Sequence, residues 1–231
     1  MKADIGIIGA LTEELEELIS MLEEHKCETV GSIEFNTGVL FGKSAVIARC
    51  GVGKVFAAMC AEAMIIKYSP ALIINTGVAG ALSSGLKCTD IVIADTLCQH
   101  DMDTSPLGDP KGLVSGINKI YFESDARAVK ILEKSATALS QRALVGRVAS
   151  GDKFVADREE KRAIMNRFSA LACEMEGAAI AQTAYVNNLP FVVIRAISDS
   201  ADGDAGLDYT EFLPIAAKSS AELTKALVKE Y

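Results

Sequence analysis

"RCGVGKVFAAM", Arg49 to Met59, sets Gly51, Gly53 and Lys54 between an apolar run and a segment of helical spacing. Strand, glycine turn, lysine and helix is the layout of a phosphate cradle, in which backbone N–H groups and a lysine hold the anion. That motif is GxxxxGK followed by Ser or Thr, whose hydroxyl serves a magnesium ion. Here only Val52 separates the two glycines, and Val55 follows the lysine. The stretch therefore reads as a strand-to-helix turn of an α/β sheet and not as a triphosphate site.

Working outward, apolar runs alternate with segments of helical period. Residues 4–9 read as a strand and 13–25 as an acidic helix carrying Leu15, Leu18, Ile19 and Leu22, with Thr12 as its N-cap. Residues 32–50 read as two strands joined at Gly42-Lys43. A helix over 54–67 repeats Val55, Ala58, Met59, Glu62, Ala63 and Ile66 on its faces. Strands follow at 71–77 and 90–97, then a long Asp/Gly/Ser/Pro loop over 101–118. Beyond it come a helix near 125–140, a strand near 143–150, helices near 158–167 and 175–187, a strand at 191–198 and a helix from about 209. With neither repeat nor linker, residues 1–231 read as a single α/β domain whose central sheet is buried on both faces.

Composition narrows the function classes. The 231 residues are 50% hydrophobic, enough for a sizeable core. Asp and Glu outnumber Lys and Arg by 31 to 23, with no basic cluster, which speaks against a nucleic-acid partner. No apolar run reaches the roughly 18 residues of a membrane span, and the opening "MKADIGIIGA" lacks the long apolar core of a secretory leader. Six scattered cysteines without CxxC, and only two histidines, suggest reduced thiols in a cytoplasmic protein and no zinc centre. "HDMD" (100–103) and "DGDAGLD" (202–208) read as loop acids, since neither has the ligand order of a calcium loop. No metal or cofactor is expected.

In open α/β sheets ligands gather at the carboxyl ends of strands. Three polar clusters sit there: Glu14 in "IGIIGALTEEL", where the strand ends at Gly9, Asn75, Gly77 and Gly80 in "IINTGVAGAL", and Arg195, Ser198 and Asp199 in "VVIRAISDSAD". An arginine inside an apolar strand is costly unless it meets a carboxylate or polar site. Each cluster also has a bland reading. Glu14 is one acid on an acidic helix, Asp199 suits a turn cap, Arg195 suits a structural ion pair, and "CEMEGAAIAQ" (173–182) suits an ordinary helix start.

Taken in order, "IGIIGAL.EEL" (5–15), "GVGKVFAA" (51–58), "INTGVAGAL" (74–82), "SGDKFV" (150–155), "EMEGAAIA" (174–181) and "VVIRAISDSAD" (192–202) resemble the nucleoside phosphorylase/hydrolase family over nearly the whole chain. The resemblance implies a three-layer α/β/α sandwich around a mixed, partly barrel-like sheet. It also implies a homodimer in which the neighbour completes the mouth of each pocket, with nucleosides as small-molecule substrates. The activity implied is hydrolysis of the N-glycosidic bond of 5′-methylthioadenosine, S-adenosylhomocysteine and 5′-deoxyadenosine, within methionine salvage.

Such hydrolysis needs a proton at purine N7, because adenine leaves poorly as an anion, and a base that activates water beside the anomeric carbon. By resemblance, Asp199 is the acid, held by Ser198, and Glu14 is the base, with Arg195 holding the water and its carboxylate partners. Glu176 would accept the ribose hydroxyls beside Met175, Phe154 would stack on adenine, and the backbone of Val155 would read its edge. Gly80 would permit close backbone approach. Leu11, Val52 and Tyr209 would form an apolar 5′ pocket, with Pro106 and Leu107 of the neighbouring subunit. Asn75 stands where phosphorylases place an arginine, and Glu14 would repel a phosphate dianion, so water is the expected nucleophile. Val78 departs from the serine common at its position, where it would help position the water. A purine nucleoside phosphorylase or futalosine-type hydrolase of the same fold remains an alternative, as does a nucleoside-binding protein without activity.

Overall fold

The computed structural model describes residues 2–201 and 205–231, with the side chains of 205–208 excepted. The "DGDAGLD" reading, and Asp202 of the last family motif, lie outside the residues so described.

The central apolar runs pair in parallel. Ile5–Gly9 (β1) lies between Lys43–Arg49 (β4) and Leu72–Ala81 (β5), and β5 also pairs in parallel with Phe191–Asp199 (β10). All residues of β1 and β10 are buried, as expected of strands covered on both faces. β10 meets Ile91–Gln99 (β6) antiparallel, β6 and Ala143–Ser150 (β8) run parallel, and β8 passes to Ala170–Glu174 (β9), which returns antiparallel to β5. Five strands thus close into a ring. From β5 the sheet continues outward through β1 and β4 to Ile33–Leu40 (β3) and Glu23–Val30 (β2), and Phe122–Glu123 (β7) pairs with β6.

Helices cover both faces. Glu16–Ser20 (α1), Ala126–Ala138 (α3) and Ala205–Glu230 (α6) share one core with Ile7, Ile47, Ile74 and Ile194. On the other side, Lys54–Tyr68 (α2) and Gly177–Val186 (α5) bury Cys60, Met64, Ile180 and Ala184 against Ile8, Ile73 and Val193. Arg158–Phe168 (α4) packs Ile164 and Phe168 on a third cluster beside the ring, with Cys98, Ala149 and Cys173. Asp125 and Asp157 cap α3 and α4, each carboxylate accepting a backbone N–H at 2.8 Å. The result is the expected sandwich with a partly closed barrel.

Several expectations need correction. The helix expected over 13–25 is only α1, and residues 23–30 form β2, an edge strand whose charged sequence hides its extended form and guards the edge against further pairing. Thr12 does not cap α1 with its side chain. Leu15 is the N-cap, and the carbonyl of Thr12 accepts from Leu15 and Glu16. On α2 the buried side is Ala57, Cys60, Ala61, Met64 and Tyr68, while Val55, Met59 and Ile66 face outward. β5 runs on through Gly77 and Gly80 to Ala81, and β7 and β9 had no counterpart in the expected order. α6 starts at Ala205, ahead of the expected position.

Candidate active site

Glu14 lies just before α1 and is buried. Its Oε2 accepts the N–H groups of Ala10 (2.7 Å) and Leu11 (3.0 Å), and its Oε1 accepts that of Val78 (3.1 Å). This carboxyl sits over β5 where a side chain is missing: a Cβ on Gly77 would lie 2.6 Å from Glu14 Oε1. Burial pushes the Glu14 carboxyl above its ordinary range, offset in part by the Arg195 guanidinium and the three backbone donors.

Arg195, 1% exposed, is the costly arginine of β10, and it finds its carboxylate. Its guanidinium is ion-paired with Glu174 Oε2 and donates to Asn75 Oδ1 at 2.5 Å, while Asn75 donates to the carbonyl of Ile8 at 2.9 Å. Glu174 also accepts Ser150 Oγ and the N–H groups of Glu176 (3.0 Å) and Gly177 (2.7 Å) at the start of α5. Burial works against this charge, but Arg195, Ser150 and Gly177 together hold the Glu174 carboxyl below its usual range.

Asp199 ends β10 beyond a register irregularity and is 2% exposed. Ser198 Oγ stands 3.1 Å from its Oδ1, and the ammonium of Lys161, from α4, stands 2.9 Å from its Oδ2. A Cβ on Gly80 would meet Asp199 Oδ2 at 2.8 Å, so this carboxyl too occupies room left by a glycine of β5.

Glu176 explains the glycine turn. The N–H of Gly53 donates to Glu176 Oε1 at 2.8 Å, across the space between α2 and α5. Gly53 has φ +103°, which only glycine adopts readily. Lys54 turns away: its N–H binds Asp152 at 2.7 Å, and its ammonium pairs with Asp101 at 2.6 Å and Gln99 at 3.0 Å. The turn holds a carboxyl and not a phosphate. Burial, then the neighbouring Glu174 charge, pushes the Glu176 carboxyl up to about 8.

These groups line one cavity enclosing about 480 Å³, its open mouth included. Leu11, Glu14, Val52, Val78, Gly80, Phe154, Met175, Glu176, Ser198, Asp199 and Tyr209 all contribute to its wall. Val155 lines a smaller hollow that continues past Phe154, Gly80 and Asp199. Arg195 stands behind the wall, bound to Glu174 and Asn75, and not on it. The Phe154 ring is 47% exposed and meets Tyr209 edge-on, with centroids 5.6 Å apart. At Val78 it is the backbone N–H that serves Glu14, whatever side chain stands there. Pro106 and Leu107 do not line this cavity, and Leu107 is exposed. Among the described residues no His, Cys, Asp and Glu side chains gather in a metal-holding group, and no helix is long and apolar enough to cross a membrane.

A model of the phosphorylase superfamily matches residues 4–229. The chain belongs to that superfamily.

Among superfamily relatives, the 5′-methylthioadenosine/S-adenosylhomocysteine nucleosidase of Actinobacillus succinogenes is 39% identical over 98% of each chain. The solved nucleosidase of that name from Neisseria meningitidis, in complex with methylthio-immucillin-A, is 38% identical with a TM-score of 0.95, covering 98% of this chain and 99% of that one. A futalosine hydrolase of Helicobacter pylori also superposes, with TM-score 0.93 at 33% identity over 98% of this chain and 97% of that one.

Two members of the site escape the sequence reading. Glu174 belongs to a quoted motif but sits at the end of β9, a strand not foreseen. Lys161 leaves a legible trace: it shares the buried face of α4 with Ile164 and Phe168, where a lysine is out of place.

Proposed function

We propose that this protein hydrolyses the N-glycosidic bond of 5′-methylthioadenosine and S-adenosylhomocysteine, and of 5′-deoxyadenosine, releasing adenine and the 5-substituted ribose. The observation that carries this reading is the pair of carboxyls, Glu14 and Asp199, lining one cavity with Glu176. Their seats, Gly77 and Gly80, are about 10 Å apart along β5 at about 3.3 Å per residue. That span suits a nucleoside with water at one end and the purine at the other.

In this reading Asp199, held by Ser198, delivers a proton to purine N7 as the C1′–N9 bond breaks. Phe154, on the cavity wall, stacks on the base, and the Val155 backbone reads its edge. Glu176 binds the ribose hydroxyls beside Met175. Glu14, oriented by three backbone N–H groups, takes a proton from the attacking water, and Arg195 fixes the surrounding carboxylates. Leu11, Val52 and Tyr209 give the 5′ end an apolar wall, which suits the thioether sulfur and the carbons beside it. Water is favoured over phosphate because Asn75 is already committed to Arg195 and Ile8, and the Glu14 charge repels a dianion.

The stretch 1–231 works as one unit here, since residues from β1 to α6 converge on the cavity. The protein acts in the cytoplasm, in methionine salvage, as a homodimer. The outward face of α2, with Val55, Phe56, Met59 and Ile66 exposed beside the cavity residue Val52, supports the dimer. Adenine release from 5′-methylthioadenosine, measured with and without phosphate, tests the reading. Equal rates without formation of 5-methylthioribose 1-phosphate are expected. Phosphate-dependent turnover would assign a phosphorylase instead.

A further inference from the structure

Asp199 presents a difficulty if it is to act as an acid. Its two carboxyl oxygens have two side-chain partners, the Ser198 hydroxyl and the Lys161 ammonium. The ion pair is buried, with side chains 3% and 2% exposed, and the ammonium also donates to the carbonyl of Ser200 at 2.8 Å. Both carboxyl oxygens are thus engaged, one of them by a group that carries protons. On its far side Lys161 lines a second cavity of about 640 Å³, its open mouth included, walled by Arg158, Arg162, Met165 and Ser84. The lysine thus stands between that hollow and the carboxylate that faces the nucleoside cavity.

We propose that Lys161 supplies the proton that Asp199 delivers to the purine, a role resting on the assignment of Asp199 as the acid. Lys161 acts through Asp199 and is a positioning residue. Its ammonium passes a proton to Asp199 Oδ2, and Asp199 passes a proton to N7. The C1′–N9 electron pair leaves with neutral adenine, and Lys161 remains as an amine. The water that adds at C1′ gives its proton to Glu14. Lys161 regains a proton from solvent on its Arg158 side and Glu14 returns one to solvent, so the cycle balances. The 2.9 Å contact gives the exchange a direct path from Nζ to Oδ2.

Other ionisable groups nearby are Cys173 on β9, Tyr209 on α6, Glu174, and Glu160 with Arg158 and Arg162 on α4. Burial pushes the Cys173 thiol up to about 12, and Tyr209 is likewise raised, so both stay neutral across the working range.

The test is the pH profile of kcat for Lys161→Met and Lys161→Gln beside the unaltered protein, on two substrates. One is 5′-methylthioadenosine. The other is the p-nitrophenyl 5-methylthioriboside, whose leaving group needs no proton. If Lys161 is the source, each variant keeps near-normal adenine release at pH 5 and loses at least 100-fold at pH 9, because Asp199 must now draw its proton from solvent. The p-nitrophenyl rates stay within about threefold throughout, by general-acid magnitudes. A loss uniform across pH, or equal on both substrates, assigns Lys161 a structural role and overturns the proposal. So does an alkaline limb that moves upward, which would make Lys161 a counter-ion that merely restrains the acid. Absence of adenine release from the unaltered protein overturns the parent reading, and this one with it.

Discussion

Glu14 and Glu176 face the same cavity and are both pushed up by burial, yet the consequences differ because the proposed reaction asks different things of them. A base works only when ionised. With its carboxyl raised above the ordinary 4.5, Glu14 loses its charge, and turnover falls, at a pH higher than a solvated glutamate would allow. Glu14→Gln is expected to cost roughly 10²–10⁴ in kcat and to erase the acid limb of the kcat/KM profile. A profile unchanged in that variant would remove Glu14 from the chemistry. Glu176 affects stability. Its carboxyl titrates at about 8 in the folded chain against 4.5 in the unfolded one. The folded state therefore binds the extra proton between those values, and stability is full below 4.5 and declines as pH rises through 8. Glu176→Gln mimics the protonated form. Its Tm is expected to match the parent near pH 5 and to exceed it by several degrees at pH 9, at about 2–4 °C per kcal/mol for a chain of this size. Equal Tm at both pH values would contradict the raised carboxyl. Individual residues of this site were largely legible in the sequence, because the acids, the arginine and the glycines sit beside apolar runs. Their ionisation was not, since it depends on what lies across the cavity.

At the scale of elements, β5 and the α2 turn do the positioning. Every carboxyl that lines the cavity occupies space or accepts a backbone group made available by glycine: Gly77 beneath Glu14, Gly80 beneath Asp199, Gly53 donating to Glu176 and Gly177 to Glu174. Gly53→Ala puts a Cβ on a residue at φ +103° and 3.1 Å from Asp152 Oδ1. It should cost about 1–3 kcal/mol of stability and raise KM more than it lowers kcat, because the N–H that holds Glu176 moves. Thermal melts and steady-state kinetics on purified protein decide this, and a lowered kcat with normal KM would speak against it. Elements differed in legibility for a physical reason. Strands β1, β5 and β10 announce themselves as apolar runs because both faces are covered. β2 carries mostly charged side chains at an edge, and β9 is short and directly follows α4, so neither has a local pattern that separates it from helix or loop. Lys161 was overlooked with them: its meaning depends on α4 meeting the end of β10.

At the scale of the whole molecule, the exposed apolar residues of α2 call for cover. Val55 is 69% and Ile66 73% exposed on the side turned away from α5 and the sheet. A helix with apolar residues on both sides, one side packed inside its own chain, fits burial against a second copy. On the proposed dimer, Phe56→Glu is expected to give a monomer in light scattering and to weaken binding of 5′-thio nucleosides, because Val52, on the cavity wall, leads into the same surface. A dimer that persists unchanged would place the interface elsewhere. The sequence by itself determined the α/β class, because covered strands leave local apolar runs, and its ordered motifs carried the family resemblance that named the candidates for acid, base and ribose-binding residue. Only the tertiary structure decided that β5, β10, β6, β8 and β9 close into a ring, that the glycine turn holds Glu176, and that Lys161 sits on Asp199. Those facts join residues far apart in the chain, and such pairings are fixed by packing across the fold and not by any neighbour in sequence.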